Sequence, residues 1–373
     1  MPLAVPLPAP LAGIPWRVIL PLTALVCFGA AVLYSAAGGS FEPYASSHLL
    51  RYAIFLAMAL VISYVPRTWP PLAAYPFYGL VLFLLVLVEA IGAFGGGIQA
   101  WLEFGPIRIQ PSELMKPAVV LVLASYYHGL PAGAINTWRA IVPPAALVAV
   151  PMVLVLVQPD LGTALAIGFG SAVMLFLAGL PARWFALGAI VAVVLTPIAY
   201  FFGLHEYQQR RVTTFLDPES DPLGSGYHIT QSKIAIGSGG ITGKGFGEGS
   251  QSHLNYLPEP HTDFVFATMA EEWGLVGGLL VLLIFGIVLR WGWSVAREAP
   301  DRFSRLLAGG MTATIFFYVA INLLMVMGLA PVVGIPLPFM SHGGSSMMTN
   351  MICVGTLMMI DRWSRQPVPG RLG

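Results

Sequence analysis

Along the chain, apolar residues gather in blocks of about twenty, set apart by Pro, Gly and charged residues rather than alternating with polar positions. A helix needs about 20 mainly apolar residues to cross a hydrocarbon core of about 30 Å, and about ten blocks have that length. They lie near 14–36, 49–65, 72–93, 112–129, 139–157, 161–180, 183–204, 263–290, 306–328 and 345–362. The first resembles a secretory signal, because small residues follow it at Ser35-Ala36-Ala37-Gly38. It exceeds the usual apolar region of about 7–15 residues, however, and no positive charge precedes Arg17, so it reads as a retained span. The pattern predicts an all-α, polytopic integral membrane protein. Residues 1–373 form one transmembrane domain, with one large extracytoplasmic loop, 205–262, between the seventh and eighth spans.

Composition agrees. Of 373 residues, 57% are hydrophobic and 9% charged, against about 25% charged in soluble domains. Too little polar surface exists to cover a water-facing body. The same numbers exclude disorder, and a net charge of +1 leaves no general footprint for nucleic acid. Cys27 and Cys353 sit inside apolar blocks and read as small buried hydrophobes rather than as a disulfide or metal pair. The many Met, such as Met347, Met348 and Met351, read as packing.

Charge fixes the orientation. One set of loops and tails holds Arg17, Arg67, Arg139, Arg183, Arg290, Arg297, Arg302, Arg305, Arg362, Arg365 and Arg371. The short opposite connections, with the adjoining helix ends, hold Arg51, Arg108 and Lys116. The positive-inside bias puts both termini in the cytoplasm. Among the acids only Glu298, Asp301 and Asp361 fall on that side, so most polar chemistry faces outward. No internal repeat and no paired broken helices are apparent, which disfavours alternating access.

The outward loop carries the candidate chemistry. It opens with Arg210-Arg211. A middle stretch with Ile229, Lys233, Ile234 and Ile236 has the pattern of an interfacial amphipathic segment. The Gly-rich run 237–247 invites a phosphate-loop reading. The Walker pattern needs Gly where Ser238 stands and Ser or Thr where Gly245 stands, so that reading is rejected. Two alternatives stay open: a cradle of amides plus Lys244 for an anion, or a merely flexible turn. The loop closes on His261-Thr262-Asp263, where Thr262 is a candidate N-cap and Asp263 falls in the first turn of the next helix. Asp263 then either complements the helix dipole or acts in catalysis. Glu271 and Glu272 follow about two turns deeper, where acids are paired or functional.

A second constellation follows the third span: Gln110-Pro111-Ser112-Glu113, then Lys116. Glu113 and Lys116, at i and i+3, can face one another, as a structural ion pair or as substrate contacts. The corners Gln158-Pro159-Asp160-Leu161-Gly162-Thr163 and Pro338 to Ser346 have ready structural explanations as connections between helices.

Taken in order, several motifs resemble those of the SEDS family (shape, elongation, division and sporulation), in its RodA type. They are Gln110-Pro111-Ser112-Glu113 with Lys116, Pro159-Asp160-Leu161-Gly162-Thr163, Tyr227 to Gly240, His261-Thr262-Asp263-Phe264 and Pro331 to Pro338. The resemblance covers nearly the whole chain. It implies a glycosyltransferase of the bacterial cytoplasmic (inner) membrane that polymerises lipid II into a growing glycan strand on the outer face, during elongation and rod-shape maintenance. It also implies a class B penicillin-binding protein transpeptidase and other elongation-complex membrane proteins as partners. The family's essential aspartate falls on Asp263, and its important Glu and Lys fall on Glu113 and Lys116. One departure stands out: Ala100 precedes Trp101 where the family commonly has Arg, and Arg108 is the nearest substitute.

Transfer from a polyprenyl pyrophosphate needs a base for the acceptor hydroxyl and charge stabilisation for the leaving group. Asp263 is the candidate base. Arg210, Arg211, Lys233 and Lys244 are candidate pyrophosphate contacts, while Arg51, Glu113, Lys116 and His261 are candidates for the substrate groove. A divalent cation, Mg or Mn, could share the stabilisation, and the sequence names no metal ligands. The rival classes are a flippase for a lipid-linked sugar and a non-catalytic scaffold for a transpeptidase. The chemistry of Asp263 separates them.

Overall fold

The computed structural model describes residues 15–95, 98–104, 107–202, 206–217, 225–254, 256–257 and 259–365. Ten helices follow the ten apolar blocks: α1 (Trp16–Ala36), α2 (Tyr44–Ser63), α3 (Trp69–Ile91), α4 (Pro111–Gly129), α5 (Val142–Val157), α6 (Leu161–Leu177), α7 (Ala182–Phe202), α10 (Val265–Glu298), α11 (Arg302–Val326) and α12 (Gly344–Arg365). The long connection adds α8 (Glu206–Leu216) and α9 (Ser225–Ser238).

Among the described residues six helices are long and apolar enough to cross a membrane, namely α1, α2, α3, α5 with the turn before it, α10 and α11; α6 and α7 are shorter and apolar. α4 and α12 fall outside that set because of where they sit. α12 packs along α2 and against α4, α10 and α11, and α4 packs against α3, α6 and α11. Their polar residues Ser112, Glu113, Lys116, Ser345, Thr349 and Asn350 are buried among these neighbours. A helix ringed by protein gains nothing from an apolar outer face. The helices that bear Val61, Leu72, Phe83, Val153 and Val193 on exposed positions do gain, since that surface meets hydrocarbon.

One end of the bundle is rich in arginine. Arg17 and Arg365 both bind Asp361, at 2.9 and 2.6 Å, and Arg67 binds Asp301. Arg302 donates to the carbonyls of Leu130 and Ala178, at the ends of α4 and α6, where a cation meets the negative pole of each helix. The opposite end carries a small antiparallel sheet that the hydrophobic blocks did not predict: β1 (Ala93–Gly95), β2 (Ile98–Phe104) and β3 (Ile107–Ile109), in the order β1-β2-β3. Its apolar stretches are too short for a helical period, and they are rich in Phe, Trp and Ile, which suit a half-buried strand. Glu103 and Arg108 are direct cross-strand partners and pair at 2.6 Å.

The middle stretch of the long connection, expected as an interfacial amphipathic segment, is the helix α9 packed on the bundle. α9 buries Ile229, Ser232 and Ala235 along one side and leaves Ile234 exposed. It packs on α10 and α11, and the Ser232 hydroxyl donates to Val326 O at 2.7 Å.

α10 contains the decisive irregularity. Its 34 residues would extend about 51 Å as one rod, well beyond a hydrocarbon core. Gly274, at φ 59° and ψ −157°, breaks it into a short arm, 265–273, and a long one, 275–298. Such a break strands carbonyls on one side and amides on the other. The Gly-rich run supplies the partners: Lys244 N–H donates to Glu271 O (3.0 Å) and Gly245 N–H to Glu272 O (3.1 Å). In return Leu275 N–H donates to Gly240 O (2.9 Å) and Val276 N–H to Ile241 O (3.1 Å). The approach leaves no room for side chains. A carbon added at Gly243 (φ +81°) would overlap the Glu272 carbonyl, and one at Gly274 would lie 2.6 Å from Ile241 O.

Gly243→Ala is therefore expected to destabilise the protein by about 2–4 kcal/mol, through positive-φ strain plus overlap with the main chain of α10. Gly247→Ala, at φ +80° with open space around it, should cost only about 1 kcal/mol. Melting temperatures of the two variants in detergent read the difference, and equal shifts would argue against the strap.

Candidate functional site

A cavity of about 760 Å³ opens at the end of the bundle opposite the arginines, in the range of sites that take small-molecule ligands. Six pieces of chain wall it: Trp101 of β2; Gln110 and Glu113 at the head of α4; Pro159, Asp160 and Thr163 at the α5–α6 corner; His228 of α9; the turn bearing Glu259, Thr262 and Asp263; and the segment from Val332 to Ser346.

Asp263 precedes α10 rather than lying in its first turn. The N-cap is Phe264, and Thr262 instead donates its hydroxyl to the Glu259 carboxylate at 3.1 Å. Its main chain is held from α11. The buried Asn322 of α11 donates its amide both to Asp263 O (2.9 Å) and to Ile335 O (2.8 Å), tying the turn to the facing loop. That loop comes close to the carboxylate at Gly334 (φ +71°), where an added side-chain carbon would stand 3.5 Å from Asp263 Oδ2.

Glu113 and Lys116 form the expected pair at 2.5 Å, and a third group joins them. Lys116 Nζ donates to the Tyr318 hydroxyl at 2.6 Å, Tyr318 donates to Glu113, and the ammonium stands 4.4 Å from the Tyr318 ring centre. Lys116 and Tyr318 are buried behind the wall, and Glu113 reaches it. Nothing in the apolar run of α11 marked Tyr318 or Asn322 as more than packing.

The corner at Asp160 does both jobs. Its carboxylate caps α6 by accepting from Thr163 N–H at 2.9 Å and takes a bond from Gln110 Nε2 at 3.1 Å, while lining the cavity. Burial pushes its pKa above the ordinary carboxylate value, against the opposing pull of Lys116 and Thr163.

Arg51 of α2 lies beside the first residue of α12. Its Nη1 donates to His342 Nε2 at 2.9 Å, and Ser47 Oγ lies 2.9 Å from the same nitrogen. Burial, with help from the Arg51 charge, lowers His342 to about 4, so the imidazole is neutral at pH 7. His261 stacks on Tyr44, ring centres 4.0 Å apart, and sits 3.6 Å from Glu259. Burial lowers its pKa, partly opposed by Glu259. Its carbonyl accepts from His342 N–H at 2.9 Å, and its side chain does not border the cavity.

The remaining candidates lie elsewhere. Lys244 pairs with the fully buried Glu271 at 2.5 Å, a carboxylate that also accepts from Ser250 and from Gln251 N–H. Glu272 accepts from Ser35, with His253 at 3.6 Å. Both deep acids are thus partnered, and the Gly-rich run is a strap on α10. Lys233 extends past Gly328 at the end of α11. Arg210 and Arg211 belong to α8, and their side chains fall outside the described residues. Arg108 is committed to Glu103 and Ala100 is packed. Among the described residues no three His, Cys, Asp or Glu side chains converge as a metal cage.

Comparison with known proteins agrees with this geometry. Over 347 residues the chain is 43% identical to the peptidoglycan glycosyltransferase MrdB of Escherichia coli K12, covering 92% of each chain. It is 39% identical over 302 residues to the stage V sporulation protein E of Bacillus subtilis, covering 80% of each. A chain of a peptidoglycan synthase complex, solved to address coordination of polymerization and crosslinking, superposes with a TM-score of 0.82 at 33% identity, over 95% of this chain and 99% of that one. The crystal structure of the rod shape determining protein RodA of Thermus thermophilus gives 0.69 at 29% identity, over 95% and 98%. The FtsW/RodA/SpoVE description, cell cycle protein, matches residues 15–366, and the chain belongs to that family.

Proposed function

We propose that Asp263 is the general base of a peptidoglycan glycosyltransferase that polymerises lipid II at the outer face of the cytoplasmic membrane. The chain is a membrane-embedded peptidoglycan glycosyltransferase, like the relatives that bear that name. One observation carries the finer reading: the Asp263 main chain is pinned by Asn322 on the wall of a cavity at the end of the bundle away from the arginine-rich loops. Positive loops stay in the cytoplasm, so this cavity faces outward, both termini face inward, and the site meets lipid-linked substrate where its sugars are.

In the reaction an acceptor sugar hydroxyl gives its proton to the Asp263 carboxylate as its oxygen attacks the anomeric carbon of the donor. The new glycosidic C–O bond forms, the bond to the pyrophosphate breaks, and its electron pair leaves with the polyprenyl pyrophosphate. Such a leaving group needs charge stabilisation and no general acid, unlike the alkoxide expelled in glycoside hydrolysis. Glu113 lines the same cavity, with Lys116 and Tyr318 holding its orientation. Strands made here need a crosslinking enzyme, and a membrane-bound transpeptidase is the partner this activity calls for. A flippase or a scaffold would have no use for a base, and Asp263 decides between the classes.

With purified protein and labelled lipid II, Asp263→Asn is expected to reduce polymer by about 10²–10⁴-fold and to keep the wild-type melting temperature, because Asn322 holds a main-chain oxygen there. Polymer at the wild-type rate would reject the base, and lipid transport without polymer would favour the flippase. Glu113→Gln strands the Lys116 charge in a buried site and should destabilise by about 3–5 kcal/mol. The double variant Glu113→Gln with Lys116→Met should recover most of that loss in a thermal melt while remaining poorly active.

A further inference from the structure

Resting on the glycosyl-transfer reading, we infer that the N-terminus of α12, together with Arg51, binds the diphosphate of the lipid-linked donor. The wall of the cavity carries the carboxyl groups of Glu113, Asp160, Glu259 and Asp263, and among its described residues there is no Lys or Arg. An anion of charge two or more has one favourable place to lie along such a wall, and it is the stretch Gly343-Gly344-Ser345-Ser346.

Three features meet there. α12 is 22 residues long with no acid in its first turn, and Gly343 to Ser346 line the cavity, so its positive pole lies at the cavity wall. Ser345 is 6% exposed, and its hydroxyl has no hydrogen-bond partner among the described residues. A buried hydroxyl left unpaired is costly, and a phosphate oxygen is a strong acceptor for it. Thirdly, the Arg51 guanidinium stands beside Gly344, where an added side-chain carbon would lie 3.5 Å from its Nε. The bareness of Gly344 keeps the cation close to the cavity wall.

Of the other basic side chains described near this end, three are spent and Lys233 lies against Gly328, outside the cavity lining. Lys116 serves Glu113 and Tyr318, Lys244 serves Glu271, and Arg108 serves Glu103. Arg51 has no carboxylate within ion-pair distance among the described residues. Its contact with His342 Nε2 is one in which arginine donates and the neutral ring accepts, so the positive charge stays uncompensated. A planar fork beside a helix N-terminus is the usual recognition geometry for phosphate oxygens. The Gly-rich run, the other candidate anion cradle, instead donates its Lys244 and Gly245 amides to α10.

Diphosphate is shared by the lipid-linked donor, the departing lipid and free pyrophosphate, so binding is measured with separate probes. Wild type, Arg51→Gln, Ser345→Ala and Asp263→Asn in nanodiscs are titrated with polyprenyl pyrophosphate, inorganic pyrophosphate and phosphatidylglycerol. Arg51→Gln should weaken polyprenyl pyrophosphate by about tenfold or more and Ser345→Ala by a few fold, with phosphatidylglycerol unchanged. Asp263→Asn should bind polyprenyl pyrophosphate like wild type. Wild-type binding in both the Arg51 and Ser345 variants would overturn the assignment. Equal loss toward phosphatidylglycerol would make this a headgroup site, and loss confined to inorganic pyrophosphate would exclude the lipid-linked source; either overturns it. Melting temperatures identify a misfolded Arg51 variant, and Ser345→Ala then decides. Polymer formation by Asp263→Asn is scored separately, so failure of the base and failure of the diphosphate site give different results.

Discussion

A transmembrane helix can be interrupted only if the main-chain groups it releases are bonded again, because hydrocarbon offers them no partner. In this protein that requirement is met at Gly274 by a reciprocal exchange with the strand of glycines before it. The arrangement around the cavity follows from that exchange. The short arm 265–273 can take its own direction, the turn bearing Asp263 sits at its head, Glu271 is anchored by Lys244 of the strap with Ser250, and Glu272 by Ser35 of α1. Asn322 then closes the frame by tying the turn to the loop opposite.

Around this frame, charges are sorted by depth. Carboxyl groups come to the cavity surface, and cations stand behind or beside it: Lys116 behind Glu113, and Arg51, which pairs with no carboxylate among the described residues, beside the start of α12. The Glu113, Lys116 and Tyr318 cluster is buried and each member bonds the other two, so the geometry tolerates little looseness. Such an environment holds a carboxylate in one orientation without needing water to do so.

The spans were legible because lipid demands long apolar runs, and each of the ten runs became a helix. By its own residues Asp263 stays open between a complement to the helix dipole and a base, and it is the resemblance of His261-Thr262-Asp263-Phe264 to the family's motif that singles it out. Other features were hidden for physical reasons. β1 to β3 are too short to show a period against the neighbouring apolar blocks. The glycines of 237–247 announce a close approach of main chain to something, and nothing in their spacing says whether that is an anion or another helix. Tyr318 and Asn322 lie within α11, where a polar atom among apolar residues looks like ordinary packing until its partners arrive from α4 and from two loops. The sequence around Asp160 marks a corner, and the residue does cap α6; its place on the cavity wall depends on how α4 packs against α6.

The polarity of α12 bears on biogenesis. Inserted alone, a segment with Ser345, Ser346, Thr349, Asn350 and Asp361 would gain little from acyl chains. It follows the other nine spans in chain order and nests along α2, a helix made early. Its entry into the bilayer is then better described as partition into an already assembled protein groove, so that the helix whose first turn borders the cavity is secured only when the rest of the bundle has formed.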